Sequence, residues 1–256
     1  MKLQEIAEYV DKTYQNKEEM DPITNQYPEL SIEEAYQIQI MNAMKRKVHD
    51  PISGMKIGIT SKMMQEVLQT DEPDFGHIYE SRNITGNSIS MKEFVNPKIE
   101  AEIAFVMKDS VDGNNFSDED LINAIDYVIA TFEIADARVK DWKYTLRDMI
   151  VDSAAFGAYK LGSVKMKLTD IDLVKENVTL EINGEVTANG SGEACLGNPL
   201  TAMKWLVKAM AKHDLALKAG DVILSGSLTP ALPIKAGDVV KTQYSTLGSV
   251  ELEFTE

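Results

Sequence analysis

The chain has little thiol or imidazole chemistry to offer. Among its 256 residues there is a single cysteine, Cys195, and only three histidines, His49, His77 and His213. One cysteine excludes an internal disulfide and fits a reducing compartment. The histidines show no metal-ligand spacing to one another. No run of about 18 apolar residues occurs, and the first twenty residues interleave charges with apolar side chains, so neither a membrane span nor a signal-peptide core is expected. These absences read as a cytoplasmic protein. Basic residues are also scarce: 26 Lys and Arg stand against 41 Asp and Glu, a formal charge of −15. Such a surface repels phosphate backbones and anionic headgroups, which argues against nucleic acid and membrane partners. It would repel an anionic substrate too, unless something local reverses the sign, as a bound dication does.

What is present is ordinary globular material, 44% hydrophobic and 26% charged. The period of the apolar residues changes along the chain. Leu3, Ile6, Ala7, Val10 and Tyr14 share one helical face, and a second helix is expected from Ser31, which has capping-box spacing to Glu34. Residues 1–52 therefore read as a helical N-terminal segment and 53–256 as a larger, strand-rich unit. Met55–Thr60, Ile99–Met107, Tyr127–Ala135 and Val178–Ile182 are short apolar runs bounded by turn residues. Asn183-Gly184 marks a hairpin, because both central residues of that turn need positive φ. A helix capped by Asn198 is expected from Pro199 to about Lys212. KAGDV occurs twice, at Lys218 and Lys235, each copy reading as a turn entering a strand. Helices first and then mostly strands imply an α+β fold.

One constellation carries chemistry. In PKIEAEIAFVM, Glu100 and Glu102 stand two apart in an apolar run, so on a strand both carboxylates leave one face while Ile99, Ala101 and Ile103 fill the other. Glu133 stands alone in ATFEIADARV. SDEDLINAIDYV, between them, reads as a helix capped by Ser117, and a strand–helix–strand passage can bring Glu133 beside the pair. Three carboxylates with water completing an octahedron suit a hard cation, Mg²⁺ or Mn²⁺. A solvated outer face is the alternative for an E-x-E pair.

Five blocks in order resemble the 2-keto-4-pentenoate hydratases of the fumarylacetoacetate hydrolase superfamily: KIGITSKMMQEVLQTDEPDFG from Lys56, PKIEAEIAF from Pro97, FEIADARVKDWKYTLRDMIVD from Phe132, GSGEACLGNPLTAMKWL from Gly190 and AGDVILSGSLTPALPIKAGD from Ala219. The resemblance implies a fumarylacetoacetate-hydrolase-like mixed β-sheet fold over 53–256 around an acidic metal site. It implies Mg²⁺ or Mn²⁺ on Glu100, Glu102 and Glu133, with Lys56 and Asp74 as proton-transfer residues. The implied reaction adds water to 2-oxopent-4-enoate, giving 4-hydroxy-2-oxopentanoate in the meta-cleavage breakdown of aromatics. There the dication stabilises an enolate while Lys56, lowered toward neutral pKa beside it, moves protons and Asp74 orients Lys56 or the water. Ser225, Ser227 and Thr229 are candidates to bind the substrate carboxylate. A small 2-oxo acid, a homo-oligomer and the companion decarboxylase are the implied partners.

Other readings stay open at this level. Lys56 can be a surface lysine, Asp74 a turn cap, and the SGSLT hydroxyls small residues on a tight strand. Asp141-Trp142 can form hydrogen bonds around Glu133, but most of Arg138, Asp141, Trp142, Asp148 and Asp152 read as core and ion-pair residues, and Cys195 as a packed thiol. Two positions depart from the pattern: Ser153-Ala154-Ala155 replaces a common Asn-Ala-Ser, and Asn198 replaces a histidine. The sister 4-oxalocrotonate decarboxylase shares the ligand set. A C–C hydrolase of the superfamily, or an idle partner subunit, are further alternatives.

Overall fold

The computed structural model describes residues 2–256. The N-terminal helices form where the apolar period places them. Helix α1 (Lys2–Asn16) buries Ile6, Ala7, Val10 and Thr13. After a single helical turn, α2 (Ile23–Gln26), helix α3 (Ile32–Arg46) begins with the expected capping box: Glu34 N donates to Ser31 Oγ at 3.1 Å and Ser31 N to Glu34 Oε2 at 2.9 Å. These two reciprocal bonds satisfy backbone donors that a helix start otherwise leaves open.

The strands make two sheets. The larger has the order β2 (Asp74–Tyr79), β1 (Ile52–Gly58), β9 (Val222–Leu224), β4 (Pro97–Met107), β5 (Ile125–Asp136) and β6 (Phe156–Met166), with β10 (Leu232–Pro233) also on β4. All its pairings are antiparallel except β1 with β9, so the sheet is mixed. The smaller sheet runs β3 (Ser88–Ser90), β12 (Ser249–Thr255), β11 (Val239–Tyr244), β7 (Asn177–Ile182), β8 (Glu185–Ser191). Tyr244 ties the sheets together, its hydroxyl donating to the backbone carbonyl of Glu102 at 2.7 Å. The remaining helices are α4 (Lys62–Leu68), α5 (Asp118–Ala124), α6 (Leu146–Val151) and α7 (Pro199–Ala211). Helix α3 packs on α6 as well as on α1. Among the described residues no helix is long and apolar enough to cross a membrane.

The local signals act as their chemistry requires. Asn183 and Gly184 take φ of 56° and 82° between β7 and β8. In both KAGDV copies the aspartate closes the turn: Lys218 N donates to Asp221 Oδ2 at 2.8 Å and Lys235 N to Asp238 Oδ2 at 3.0 Å. The helix after Ser117 is shorter than the twelve-residue segment that suggested it. Ile125 already starts β5, because the β-branched and aromatic run IDYVIATF gains more by pairing with β4 than by extending a turn of helix.

Candidate metal centre and active site

The two central strands decide the site. In β4 and β5 most residues are buried on both faces, and in their antiparallel register Glu100 stands directly opposite Glu133. Facing side chains in such a pair lie about 5 Å apart at Cβ, so two carboxylates there repel unless a proton or cation intervenes. Glu102, one pleat further on the same face, completes a group whose ligand atoms all lie within 4.8 Å of one another. Glu102 and Glu133 are 1% and 0% exposed, which rules out the solvated-face alternative for them. Glu102 is held by Gly226 N, which donates to its Oε2 at 3.0 Å.

Electrostatics records the strain of this gathering. Burial first, then Glu133, pushes the Glu100 carboxyl up to about 7, against opposing pulls from Lys56 and Lys98. Burial, Glu133 and Glu100 push Glu102 well above the ordinary carboxylate range. Both oxygens of Glu133 are buried; Oε2 has no partner, and Oε1 meets only the Lys56 ammonium, at 2.8 Å. A set of three hard oxygen donors held together, offset by the single ion-paired cation Lys56 and with unsatisfied lone pairs, fits a divalent cation of the Mg²⁺ class.

Lys56 and Asp74 come from neighbouring strands. Lys56 is 4% exposed on β1, its Nζ 2.8 Å from Glu133 Oε1 and donating to the carbonyl of Ala154 at 2.8 Å. Burial alone would lower its pKa, but Glu133, Glu100, Glu102 and Asp74 outweigh burial and raise it. The lowering anticipated from a neighbouring dication is therefore not a property of the protein groups themselves. Asp74, the first residue of β2, stands opposite Gly58, and a Cβ at position 58 would lie 2.2 Å from Asp74 Oδ1. The carboxyl is fully buried, has no hydrogen-bond partner on either oxygen, and is pushed up to about 6 by burial, with Lys56 pulling it down and Glu133 pushing it up.

These groups surround a cavity of about 260 Å³ lined by Lys56, Asp74, Glu100 and Glu102 on one side. Ser227 and Thr229 reach it, whereas Ser225 does not line it. The Ser225 hydroxyl is spent within the protein, donating to Gly226 O at 3.0 Å and accepting from Ile103 N at 3.3 Å. Ser227 Oγ likewise donates to Thr229 O at 2.6 Å, so the SGSLT hydroxyls first of all shape their own loop.

Two contributors were not legible as such. Residues 153–155 form a turn in which Ser153, Ala154 and Ala155 all take left-handed φ, 55°, 54° and 51°, and this turn aims the Ala154 carbonyl at Lys56. No glycine marks it, so the sequence has no signal for it. Trp142 lines the cavity, also from a left-handed backbone (φ 56°), while its neighbour Asp141 pairs with Lys143 on the surface. Left-handed backbone at non-glycine residues costs about 1–3 kcal/mol each and clusters at functional sites.

The other candidates are structural. Arg138 and Asp152 form a buried ion pair, and Asp148 accepts from Thr24 Oγ1 at 2.7 Å. His77 is buried away from the cavity and held neutral, pushed down to about 4 by burial and then Lys47. Cys195 is fully buried, its thiol donating to Ser225 O at 2.8 Å and pushed up to about 12 by burial and then Glu102, which makes it inert. Asn198 caps α7, accepting from Leu200 N at 2.9 Å, so that departure concerns a helix end and not the pocket.

A two-sheet fold that gathers three carboxylates, Glu102 and Glu133 buried and Glu100 partly so, defines an enzyme scaffold with a candidate metal site. Residues 60–255 match the family described as fumarylacetoacetate (FAA) hydrolase C-terminal, and the chain belongs to that family. It is 34% identical to the 2-keto-4-pentenoate hydratase of Paraburkholderia xenovorans (strain LB400) over 253 residues, 98% of this chain and 94% of that one. It is 39% identical to the 2-keto-4-pentenoate hydratase of Burkholderia vietnamiensis (strain G4 / LMG 22486) over 224 residues, 87% of this chain and 86% of that one. In structure it is similar to the 4-oxalocrotonate decarboxylase from Pseudomonas putida G7, solved in complex with magnesium and adipate. The TM-score is 0.94 and the identity 31%, covering 99% of this chain and 97% of that one.

Proposed function

We propose that this chain is a divalent-metal-dependent hydratase that takes 2-hydroxypenta-2,4-dienoate, the enol of 2-oxopent-4-enoate, to 4-hydroxy-2-oxopentanoate in aromatic meta-cleavage catabolism. The observation that carries the reading is the cross-strand Glu100–Glu133 pair with Glu102, whose ligand atoms lie within 4.8 Å beside buried Lys56 and Asp74. The hydratase names of the curated relatives support the reaction class. Glu100, Glu102 and Glu133 would hold the ion, and Mg²⁺ is favoured over Mn²⁺ because the structurally similar decarboxylase binds magnesium. When bound, the dication supplies Lewis-acid polarisation of the 2-oxo group.

The protein groups handle the protons. A proton leaves the 2-hydroxyl and one is delivered at C5, which moves the remaining double bond to C3–C4. The oxygen of water then adds at C4 and a proton at C3, so one water is consumed. Asp74, with a carboxyl near 6 and no partner on either oxygen, is placed to take and return these protons near neutral pH. Lys56 is held between Glu133 and the Ala154 carbonyl, with Asp74 close enough to perturb its charge, and relays or steadies the proton on Asp74. Thr229 and Ser227 line the same cavity and can meet a substrate oxygen.

The decarboxylase reading keeps standing on one observation, the 0.94 TM-score to the Pseudomonas putida G7 enzyme. The discriminating experiment supplies Mg²⁺-loaded protein with 2-hydroxypenta-2,4-dienoate and, separately, with 2-oxo-3-hexenedioate. Formation of 4-hydroxy-2-oxopentanoate from the first supports the proposal, and CO₂ release from the second without hydration of the first overturns it. A homo-oligomer, with the companion decarboxylase as partner, belongs to the same proposal and is read by light scattering and co-purification.

A further inference from the structure

The cavity is chemically lopsided. Its lining joins acidic side chains, Asp74, Glu100 and Glu102, to apolar ones, Ile59, Met63, Met64 and Met149. Two lysines line it. Lys56 is committed to Glu133 and the Ala154 carbonyl. Lys98 forms no ion pair among the described residues; its Nζ rests 3.9 Å from the centroid of the Trp142 ring. On β4, Lys98, Glu100 and Glu102 follow one another at two-residue steps, so their side chains leave the same face at intervals of about 6.8 Å. Lys98 thus stands at the outer end of the acidic row, next to the carboxylates but not paired with one. Trp142 packs against the small cluster of Ile59, Met149 and Ala155, so its indole joins the cation to the apolar side chains. A ring face holds an ammonium by about 1–2 kcal/mol when partly desolvated and leaves its N–H groups free to donate. An arriving carboxylate would meet a pre-positioned cation here. A hydrocarbon tail would meet methionines and isoleucine.

We infer that Lys98, steadied by Trp142, binds the carboxylate of the substrate, and that as the one unpaired cation among the described residues lining the cavity it selects 2-oxo acids with one carboxylate and an apolar remainder. This rests on the oxo-acid reading above and sharpens it. A second carboxylate on the substrate would find no second unpaired cation among the described residues lining the cavity, and Ile59, Met63, Met64 and Met149 there offer it no hydrogen-bond donor. Selection therefore favours the monoacid of the hydratase over the diacid of the decarboxylase.

The test measures binding by calorimetry on the Mg²⁺-loaded protein with two saturated probes that cannot be hydrated, 2-oxopentanoate and 2-oxoadipate. The wild type is expected to bind the monoacid at least about 10-fold more tightly than the diacid. Lys98→Met should weaken monoacid binding about 10- to 100-fold, the range for a charged hydrogen bond, and Lys98→Arg should recover most of it. With the dienol substrate, Lys98→Met should raise KM by a similar factor and leave kcat within about 3-fold, because the interaction is made equally in ground and transition states. Equal affinity for the diacid, or unchanged monoacid affinity in Lys98→Met, overturns the inference. Absence of dienol hydration with monoacid selection intact overturns the hydratase reading and leaves the role of Lys98 supported.

Discussion

Replacing Glu100 by glutamine turns the strain of the carboxylate cluster into a measurable stability difference. The Glu100 carboxyl ordinarily titrates at 4.5 and in the fold is pushed up to about 7 by burial and then by Glu133. A raised folded pKa means that the folded chain keeps a proton the unfolded chain has released. Stability is therefore lost as pH climbs from about 4.5 to about 7, and the loss is complete above that window. From 4.5 to about 7, at about 1.36 kcal/mol per pH unit, the loss is about 3 kcal/mol. For a chain of this size that equals roughly 6–12 °C in Tm. Glu100→Gln keeps the shape and removes the titration. In EDTA the two proteins should melt alike near pH 4.5, and at pH 8 the variant should melt higher by up to that amount. Saturating Mg²⁺ should nearly close that gap, since the wild type gains about 2.7 kcal/mol at one hundred times its Kd while the variant has lost a ligand. Differential scanning calorimetry reads all of this. A wild type more stable than Glu100→Gln at pH 8 in EDTA, or equal Mg²⁺ responses, would refute the reasoning.

Two further outcomes follow from the same geometry. Gly58→Ala places a methyl 2.2 Å from Asp74 Oδ1 and must displace that carboxylate; steady-state kinetics should show a loss of about 100-fold in kcat, with Tm changed far less than activity. Ala154→Gly keeps the carbonyl that receives Lys56 and relieves a left-handed φ of 54°; thermal melts should show a gain of about 1 kcal/mol with activity retained, whereas Ala154→Val should lose stability.

The legible parts of the fold were those written in periodic apolar residues and in turn chemistry. Ser31 with Glu34, Asn183-Gly184 and the two KAGDV turns each act through bonds among near neighbours in sequence. The carboxylate group was half legible. E-x-E on an apolar strand puts two carboxylates on one face, but only the β4–β5 register sets Glu133 opposite Glu100, and register is a tertiary fact. The role of Asp74 was open because a buried strand start and a turn cap share the same Pro-Asp-Phe-Gly residues. Gly58, whose missing side chain gives Asp74 its space, could not be singled out without β1 and β2 paired. The Ala154 carbonyl was invisible, since a backbone oxygen has no residue type and the left-handed turn that aims it contains no glycine. Trp142 stays open in the sequence between a place around Glu133 and the core, and the fold sets it in the cavity lining over Lys98.

The most direct test of the account follows 4-hydroxy-2-oxopentanoate formation from 2-hydroxypenta-2,4-dienoate by dialysed, metal-free protein as Mg²⁺ is titrated in. The account predicts no turnover in EDTA, activity that saturates at one Mg²⁺ per chain, and none at any Mg²⁺ concentration in a folded Glu133→Gln variant. Full turnover in EDTA, or Glu133→Gln matching the wild type, would contradict it.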